Sequence, residues 1–196
     1  MKVAIIKYNA GNIYSVANAL RRVGVEPLIT GCHEEIMSAD KVIFPGVGEA
    51  RTTMNYLKEH GLDKLIRDLK QPLLGICLGM QLLCKHSEEG DVDCIGIFDA
   101  EVKRFIPTKH EEKVPHMGWN TISNLRKGIF SPEMENEFVY FVHSFYVPTN
   151  PYTSATTDYI VPFSAALSKD NFHAAQFHPE KSGAVGEAIL RNFLNL

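Results

Sequence analysis

Apolar residues fall into two rhythms along this chain. Residues 2–8 form an apolar run with the look of a strand, and Asn9-Ala10-Gly11 has the chemistry of a turn. Ile13, Val16, Ala17, Leu20 and Val23 then recur at helical spacing, with Gly24 as the stop. Residues 26–29 and 41–44 read as strands, 50–60 and 62–69 as helices, and 73–76 as a buried strand. A helix-like stretch over 80–85 follows directly. Strands alternating with helices predict a parallel sheet with helices on its faces.

Beyond Gly90 the pattern changes. Residues 102–106, Val114, and residues 138–142, 145–147, 164–167 and 172–177 are short extended stretches separated by Pro, Asn and Gly. They predict antiparallel strands and loops laid over one side of the parallel core. Residues 183–194 close the chain as an amphipathic helix, with Val185, Ile189, Leu190 and Phe193 on one face. There is no repeat and no low-complexity linker, so residues 1–196 are expected to form one α/β domain.

Composition narrows the classes of function. With 45% hydrophobic and 22% charged residues, the chain is ordinary for a soluble protein. A net charge of -3 and a pI near 6.2 give no basis for nucleic acid or an anionic membrane as partner. No apolar stretch has the length to span a bilayer, and residues 1–6 run straight into a strand rather than a signal peptide. Cys32, Cys77, Cys84 and Cys94 form no C-x-x-C pair and no zinc spacing. Reduced thiols, a cytoplasmic setting, no metal and no cofactor are the expectation.

One cysteine stands apart. Cys77 lies between the strand at 73–76 and the following helix, with Gly75 and Gly79 two residues to either side. That is the spacing of a nucleophile elbow, in which small neighbours leave room for a strained strand-to-helix turn. Free N–H groups of the next helix would favour a thiolate. The plain alternative is a buried core cysteine.

A cysteine nucleophile needs a base and a group to orient it. Among eight histidines, His178 follows an apolar strand, and Pro179 and Glu180 come next. Strand ends gather on one edge of a parallel sheet, so His178 could reach Cys77 while Glu180 fixes its tautomer. A strand-end His beside a solvated Glu is the alternative. Pro45-Gly46-Val47-Gly48 also follows a strand, and its glycines could turn main-chain N–H groups toward an oxyanion. It is otherwise a plain turn, and no Gly-Lys-Ser or Gly-Lys-Thr makes it a phosphate loop. Trp119, the single Trp, is either an interface anchor or a core aromatic.

These segments together resemble a known family. Tyr8-Asn9-Ala10-Gly11-Asn12, Pro45-Gly46-Val47-Gly48, Gly75-Ile76-Cys77-Leu78-Gly79-Met80-Gln81, Pro115-His116-Met117-Gly118-Trp119-Asn120, Tyr140-Phe141-Val142-His143-Ser144-Phe145 and Phe177-His178-Pro179-Glu180-Lys181-Ser182 are similar to class I glutamine amidotransferases. Within that group they resemble glutaminase subunits that deliver ammonia to a (β/α)8-barrel cyclase in histidine biosynthesis. The resemblance implies a three-layer fold, L-glutamine as substrate, and a heterodimer with the cyclase. It implies Cys77, His178 and Glu180 as catalytic residues, and Val47, Gly48 and Leu78 as the oxyanion hole. Gly46, Gln81, Glu89, His143, Ser144 and Phe145 match glutamine-binding positions. Asn12, Trp119, Tyr140 and Lys181 match partner-facing ones. Phe145 stands where a Tyr is common, and Asn9-Ala10-Gly11 replaces a Gly-Pro-type turn. Three rivals stay open: a stand-alone cysteine hydrolase, a paralogous glutaminase feeding another synthase such as one making an amidino sugar, and a catalytically dead regulatory module.

Overall fold

The computed structural model describes residues 1–8 and 13–196. Asn12 and the Asn9-Ala10-Gly11 turn lie outside the described residues. In chain order the elements are β1 (Val3–Ile6), α1 (Ile13–Arg22), β2 (Leu28–Thr30), α2 (His33–Met37), β3 (Lys41–Phe44), α3 (Ala50–Glu59), α4 (Leu62–Asp68) and β4 (Leu73–Ile76). They continue with α5 (Leu78–Leu82), β5 (Cys84–Ser87), β6 (Val92–Asp93), β7 (Phe98–Arg104), β8 (His116–Thr121), β9 (Phe138–His143) and β10 (Phe145–Tyr146). Last come β11 (Thr153–Asp158), β12 (Pro162–Lys169), β13 (Phe172–Ala175) and α6 (Gly183–Leu194).

A seven-stranded sheet, in the order β11-β12-β13-β4-β3-β1-β2, forms the middle layer. Neighbours from β2 to β13 run parallel, and β12 and β11 continue the sheet antiparallel. Its parallel strands are buried on both faces because apolar residues fill both sides of the pleat. Val42, Phe44 and Leu73 point to one side, toward residues of α2, α3, α4 and α5. Ile43, Leu74 and Ile76 point to the other, toward α1, α6 and Phe141 of β9. A four-stranded sheet (β10-β7-β5-β6) and the β8–β9 hairpin stand beside this core.

The helical readings over 50–60, 62–69 and 183–194 match α3, α4 and α6 closely, and Gly24 adopts φ 90 just beyond α1. Several readings need correction. The helix read over 80–85 ends at Leu82, because Cys84 begins β5 and pairs with Phe98 of β7. The strand read at 26–29 is Leu28–Thr30, in register with Ala4 to Ile6. Residues 172–177 leave the strand at Ala175, and Val114 lies in a bend before β8. The second-half strands do not all lie over the core, since β13, β12 and β11 widen the central sheet itself.

The edge where the strands end matters most. β3, β4 and β13 are adjacent and parallel, with Phe44 opposite Gly75 and Ile76 opposite Ala175. Residues immediately after them, Pro45, Cys77 and Gln176, therefore emerge together.

Cys84 is buried at the start of β5, away from this edge, and burial pushes its thiol well above the ordinary range. Cys84→Ala should lower stability by about 1 kcal/mol through the small void it leaves, without changing turnover. Thermal melting paired with an assay of the activity the resemblance implies checks both halves.

Candidate active site

Cys77 occupies the turn from β4 into α5 with φ 53 and ψ -109, a region non-glycine residues rarely adopt. Its N–H donates to the Ala175 carbonyl at 2.8 Å, and its carbonyl accepts from Gln81 N–H at 3.2 Å. Gly79 makes the turn fit, because a Cβ there would strike the Phe44 carbonyl. Gly46 is under the same constraint, since a Cβ would collide with the Gly79 nitrogen and lie 2.7 Å from Leu78 Cβ. The loop after β3 is thus pressed against the elbow.

That contact fixes a peptide orientation. The Gly46 carbonyl accepts from the Leu78 N–H at 3.4 Å. Carbonyl and N–H of a trans peptide point opposite ways, so the Val47 N–H is turned away from Leu78. The N–H read as a free donor is therefore engaged by the loop. Gly48 has φ 113, a conformation that suits glycine. At the head of the loop, the buried Tyr8 hydroxyl donates to the Pro45 carbonyl. Burial, with the Cys77 charge adding to it, pushes the Tyr8 phenol far up, so it stays a donor.

His178 follows β13 and is buried, as is Glu180. Its Nδ1 lies 2.7 Å from Glu180 Oε1, so Nδ1 carries the proton and Nε2 is left for chemistry. Nε2 is buried without a hydrogen bond of ordinary geometry, yet the charge on the ring responds to the Cys77 sulfur. We read this as a close electrostatic contact, of the kind that tightens when substrate is bound. Burial opposes the imidazolium, but the Cys77 sulfur and the Glu180 carboxylate outweigh it and raise the pKa to about 10. Backbone bonds fix the ring as well. The His178 N–H donates to the Tyr140 carbonyl at 2.9 Å, the Ser182 hydroxyl donates to the His178 carbonyl at 2.6 Å, and that hydroxyl accepts from the Tyr140 N–H at 3.0 Å.

A cavity of about 500 Å³ opens over these groups. Cys77, His178, Val47, Gly48, Leu78, Gln81, Glu89, His143, Ser144 and Phe145 all line it, so most residues named from sequence converge. Glu89 Oε2 accepts from Ala50 N–H at 2.9 Å at the start of α3, which anchors the carboxylate at the cavity wall. Burial raises its pKa, opposed by that bond and reinforced by Glu49. Gly46 and Glu180 lie behind the wall rather than in it. Lys181, read as partner-facing, reaches the cavity and places Nζ 5.8 Å from the Tyr140 ring centre. Trp119 pairs with Tyr140 across β8–β9 and is 56% exposed, which excludes the core-aromatic reading.

Sequence reasoning missed Tyr8, His116 and Gln176. His116 Nδ1 lies 3.0 Å from His143 Nε2, and His143 Nδ1 lies 2.7 Å from the Phe145 carbonyl. A carbonyl only accepts, so His143 donates from Nδ1 and accepts at Nε2, and His116 donates to it. Burial pushes both rings down, His116 to about 4 and His143 to about 3. Among the described residues no group of three or more His, Cys, Asp or Glu is placed to hold a metal ion.

Comparison with known proteins places the whole chain in a family. The model of the family Glutamine amidotransferase class-I matches residues 4–196. A solved structure titled a glutamine amidotransferase superimposes with a TM-score of 0.76 at 19% identity, covering 100% of this chain and 98% of that one, a likeness of fold. The chain belongs to the class-I glutamine amidotransferases. Within that family it is 68% identical, over the full length of both chains, to imidazole glycerol phosphate synthase subunit HisH of Bacteroides thetaiotaomicron. It is 43% identical to the subunit of the same name from Escherichia coli strain K12, again over 100% of both.

The His178–Glu180 geometry predicts unequal losses. His178→Ala should lower glutaminase kcat by about two to four orders of magnitude, the usual range for a positioned acid–base group. Glu180→Gln should lose less, and its alkaline limb should move to lower pH, because removing the carboxylate lets the ring give up its proton earlier. A pH–rate profile of kcat/KM checks this. An unmoved limb, or a Glu180→Gln variant as inactive as His178→Ala, would contradict it.

Proposed function

We propose that this chain is the glutaminase subunit of an imidazole glycerol phosphate synthase, and that residues 1–196 act as one glutaminase domain in the cytoplasm. The observation that carries the chemistry is the meeting of Cys77 and the Glu180-held His178 at the carboxyl ends of adjacent parallel strands. Identity of 68% over full length to a HisH subunit supports the assignment to this synthase.

Cys77 Sγ attacks the side-chain carbonyl carbon of L-glutamine, and the electron pair of the C=O moves onto oxygen. The thiol proton, taken up by His178 Nε2, passes to the departing nitrogen; the oxyanion re-forms the C=O as the C–N bond breaks, and ammonia leaves. Water then attacks the γ-glutamyl thioester, giving its proton to His178, and glutamate departs as the C–S bond breaks. Glu89 receives the α-ammonium, and Gln81, His143, Ser144 and Phe145 shape the rest of the glutamine site. Leu78 and Val47, with Gly46 as the pivot and Gly48 beside them, hold the oxyanion.

The ammonia passes to a (β/α)8-barrel cyclase, where it completes imidazole glycerol phosphate and an aminoimidazole carboxamide ribotide. The partner sits on the outer face of β8–β9. Met117, Trp119 and Phe138 are exposed there on alternate positions, a concentration of apolar side chains unusual for free surface. Tyr140 and Lys181 border this face, and Asn12 is assigned to it from the resemblance alone.

Orientation of the Gly46–Val47 peptide supports a switch. In the resting state one carbonyl occupies the Leu78 N–H while the Val47 N–H faces away, so a single peptide turn would supply both donors. β9 carries Tyr140 outward and is bonded to His178 inward, a direct route from the partner face to the site. A partner that binds the turned state better shifts the population toward it. Glutamine is then spared until the ammonia has an acceptor.

The test measures glutaminase turnover of the chain alone, with the cyclase, and with the cyclase plus its ligand. Since one oxyanion donor is worth about two to three orders of magnitude, turnover should rise by roughly that factor across the series. Cys77→Ala should abolish every arm while cyclase product still forms from ammonium salt. Equal rates in all three arms would remove the switch, and activity retained in Cys77→Ala would remove the nucleophile.

A further inference from the structure

We propose that Gln176 belongs to the catalytic group, its side-chain N–H donating to the Cys77 sulfur and favouring the anion that attacks glutamine. This rests on Cys77 being the nucleophile. Gln176 is the first residue after β13 and two before His178, it is fully buried, and its Nε2 lies 3.7 Å from Cys77 Sγ.

The direction of that contact follows from fixed neighbours. The Phe145 carbonyl can only accept, and Gln81 lies 3.0 Å from it, so the Gln81 atom there is the amide nitrogen. The same nitrogen lies 2.9 Å from Gln176, whose facing atom must therefore be Oε1. With its oxygen committed, Gln176 turns Nε2 toward the sulfur. The sulfur also lies 3.8 Å from the Val142 carbonyl, an acceptor that a protonated thiol would address. Two partners of opposite kind thus flank one sulfur: a carbonyl suited to S–H and an amide N–H suited to the thiolate. The amide donor stands with His178 on the side of the anion. The Gln176 backbone N–H, donating to the Ala165 carbonyl at 2.8 Å, fixes the base of the side chain.

The experiment measures iodoacetamide alkylation of Cys77 at pH 7, followed on its own peptide by mass spectrometry, together with steady-state glutaminase in complex with the cyclase. Two variants of similar size are compared. Gln176→Leu removes the donor, and alkylation and kcat should both fall about tenfold, the usual effect of one hydrogen bond to a charged group, with KM nearly unchanged. Gln176→Glu keeps an oxygen for Gln81 but offers a carboxylate to the sulfur, so its alkylation should be slower still. A residue that only anchors Gln81 would give the reverse: Gln176→Glu like wild type, and Gln176→Leu changed in KM alone. That outcome overturns the proposal.

If neither variant shows a thermal unfolding transition, Gln81→Leu, which unlocks the Gln176 amide without touching the sulfur, decides it. Slower alkylation supports the proposal and a wild-type rate overturns it. Failure of the nucleophile assignment would be distinct, because complete alkylation of Cys77 in the unaltered chain would then leave turnover intact.

Discussion

Holding Cys77 at φ 53 and ψ -109 costs on the order of 1–3 kcal/mol, and the surrounding structure is arranged to hold it. Two backbone hydrogen bonds clamp the residue between β13 and α5. Glycine at 79 lets the elbow pass beneath the Phe44 carbonyl, and glycine at 46 lets the neighbouring loop approach as closely. A sulfur on this turn stands clear of β4 at the edge where β3 and β13 also end. The catalytic neighbourhood then needs no long excursions of chain. Pro45, Cys77, Gln176 and His178 arrive there simply by following their strands.

Charge is divided unequally between two neighbouring histidines. His143 and His178 lie close enough to influence each other, yet their environments drive them apart. His143 is buried with no carboxylate beside it, so desolvation keeps it neutral despite the Phe145 carbonyl that it bonds. His178 has Glu180 at 2.7 Å and the Cys77 sulfur beyond, so it keeps a proton despite burial. The neutral ring serves as a directional spacer whose tautomer positions the Phe145 carbonyl, and through it Gln81. The charged ring is the one held against the Cys77 sulfur. Both depend on β9, which supplies His143 and the backbone acceptor for His178.

Legibility in the sequence followed the strength of the hydrophobic signal. β3, β4, α3, α4 and α6 are mostly apolar or strongly amphipathic, and the pattern marks their bounds closely. β11, with the sequence TSATTD, carries almost no apolar alternation and gives no strand signal, although the sheet buries most of it. The helix expected over 80–85 runs into the first two residues of β5, CKHS, whose strand character comes from pairing with β7. Cys77, His178 and Glu180 were legible because elbow spacing and a strand-end position have geometric consequences. Gln176 left one usable signal: a polar residue in the run Ala174-Ala175-Gln176-Phe177 must find hydrogen bonds if buried. Tyr8 and His116 stand in segments that carry the resemblance, but their roles are not legible there, since their partners are carbonyls and rings that only the fold assembles.

The central claim is that the strained turn presents one sulfur, among four cysteines, to the side-chain amide carbon of glutamine. A diazoketone analogue of glutamine, which alkylates the nucleophile that would attack the amide, tests this most directly. Labelling the cyclase complex and mapping the adduct should give one modification, on Cys77, with complete loss of glutaminase activity and protection by glutamine. A structure of the adduct should place its carbonyl oxygen against the N–H groups of Leu78 and Val47, with the Gly46–Val47 peptide turned over. An adduct on Cys32, Cys84 or Cys94, or a labelled Cys77 that still turns over glutamine, would contradict the account.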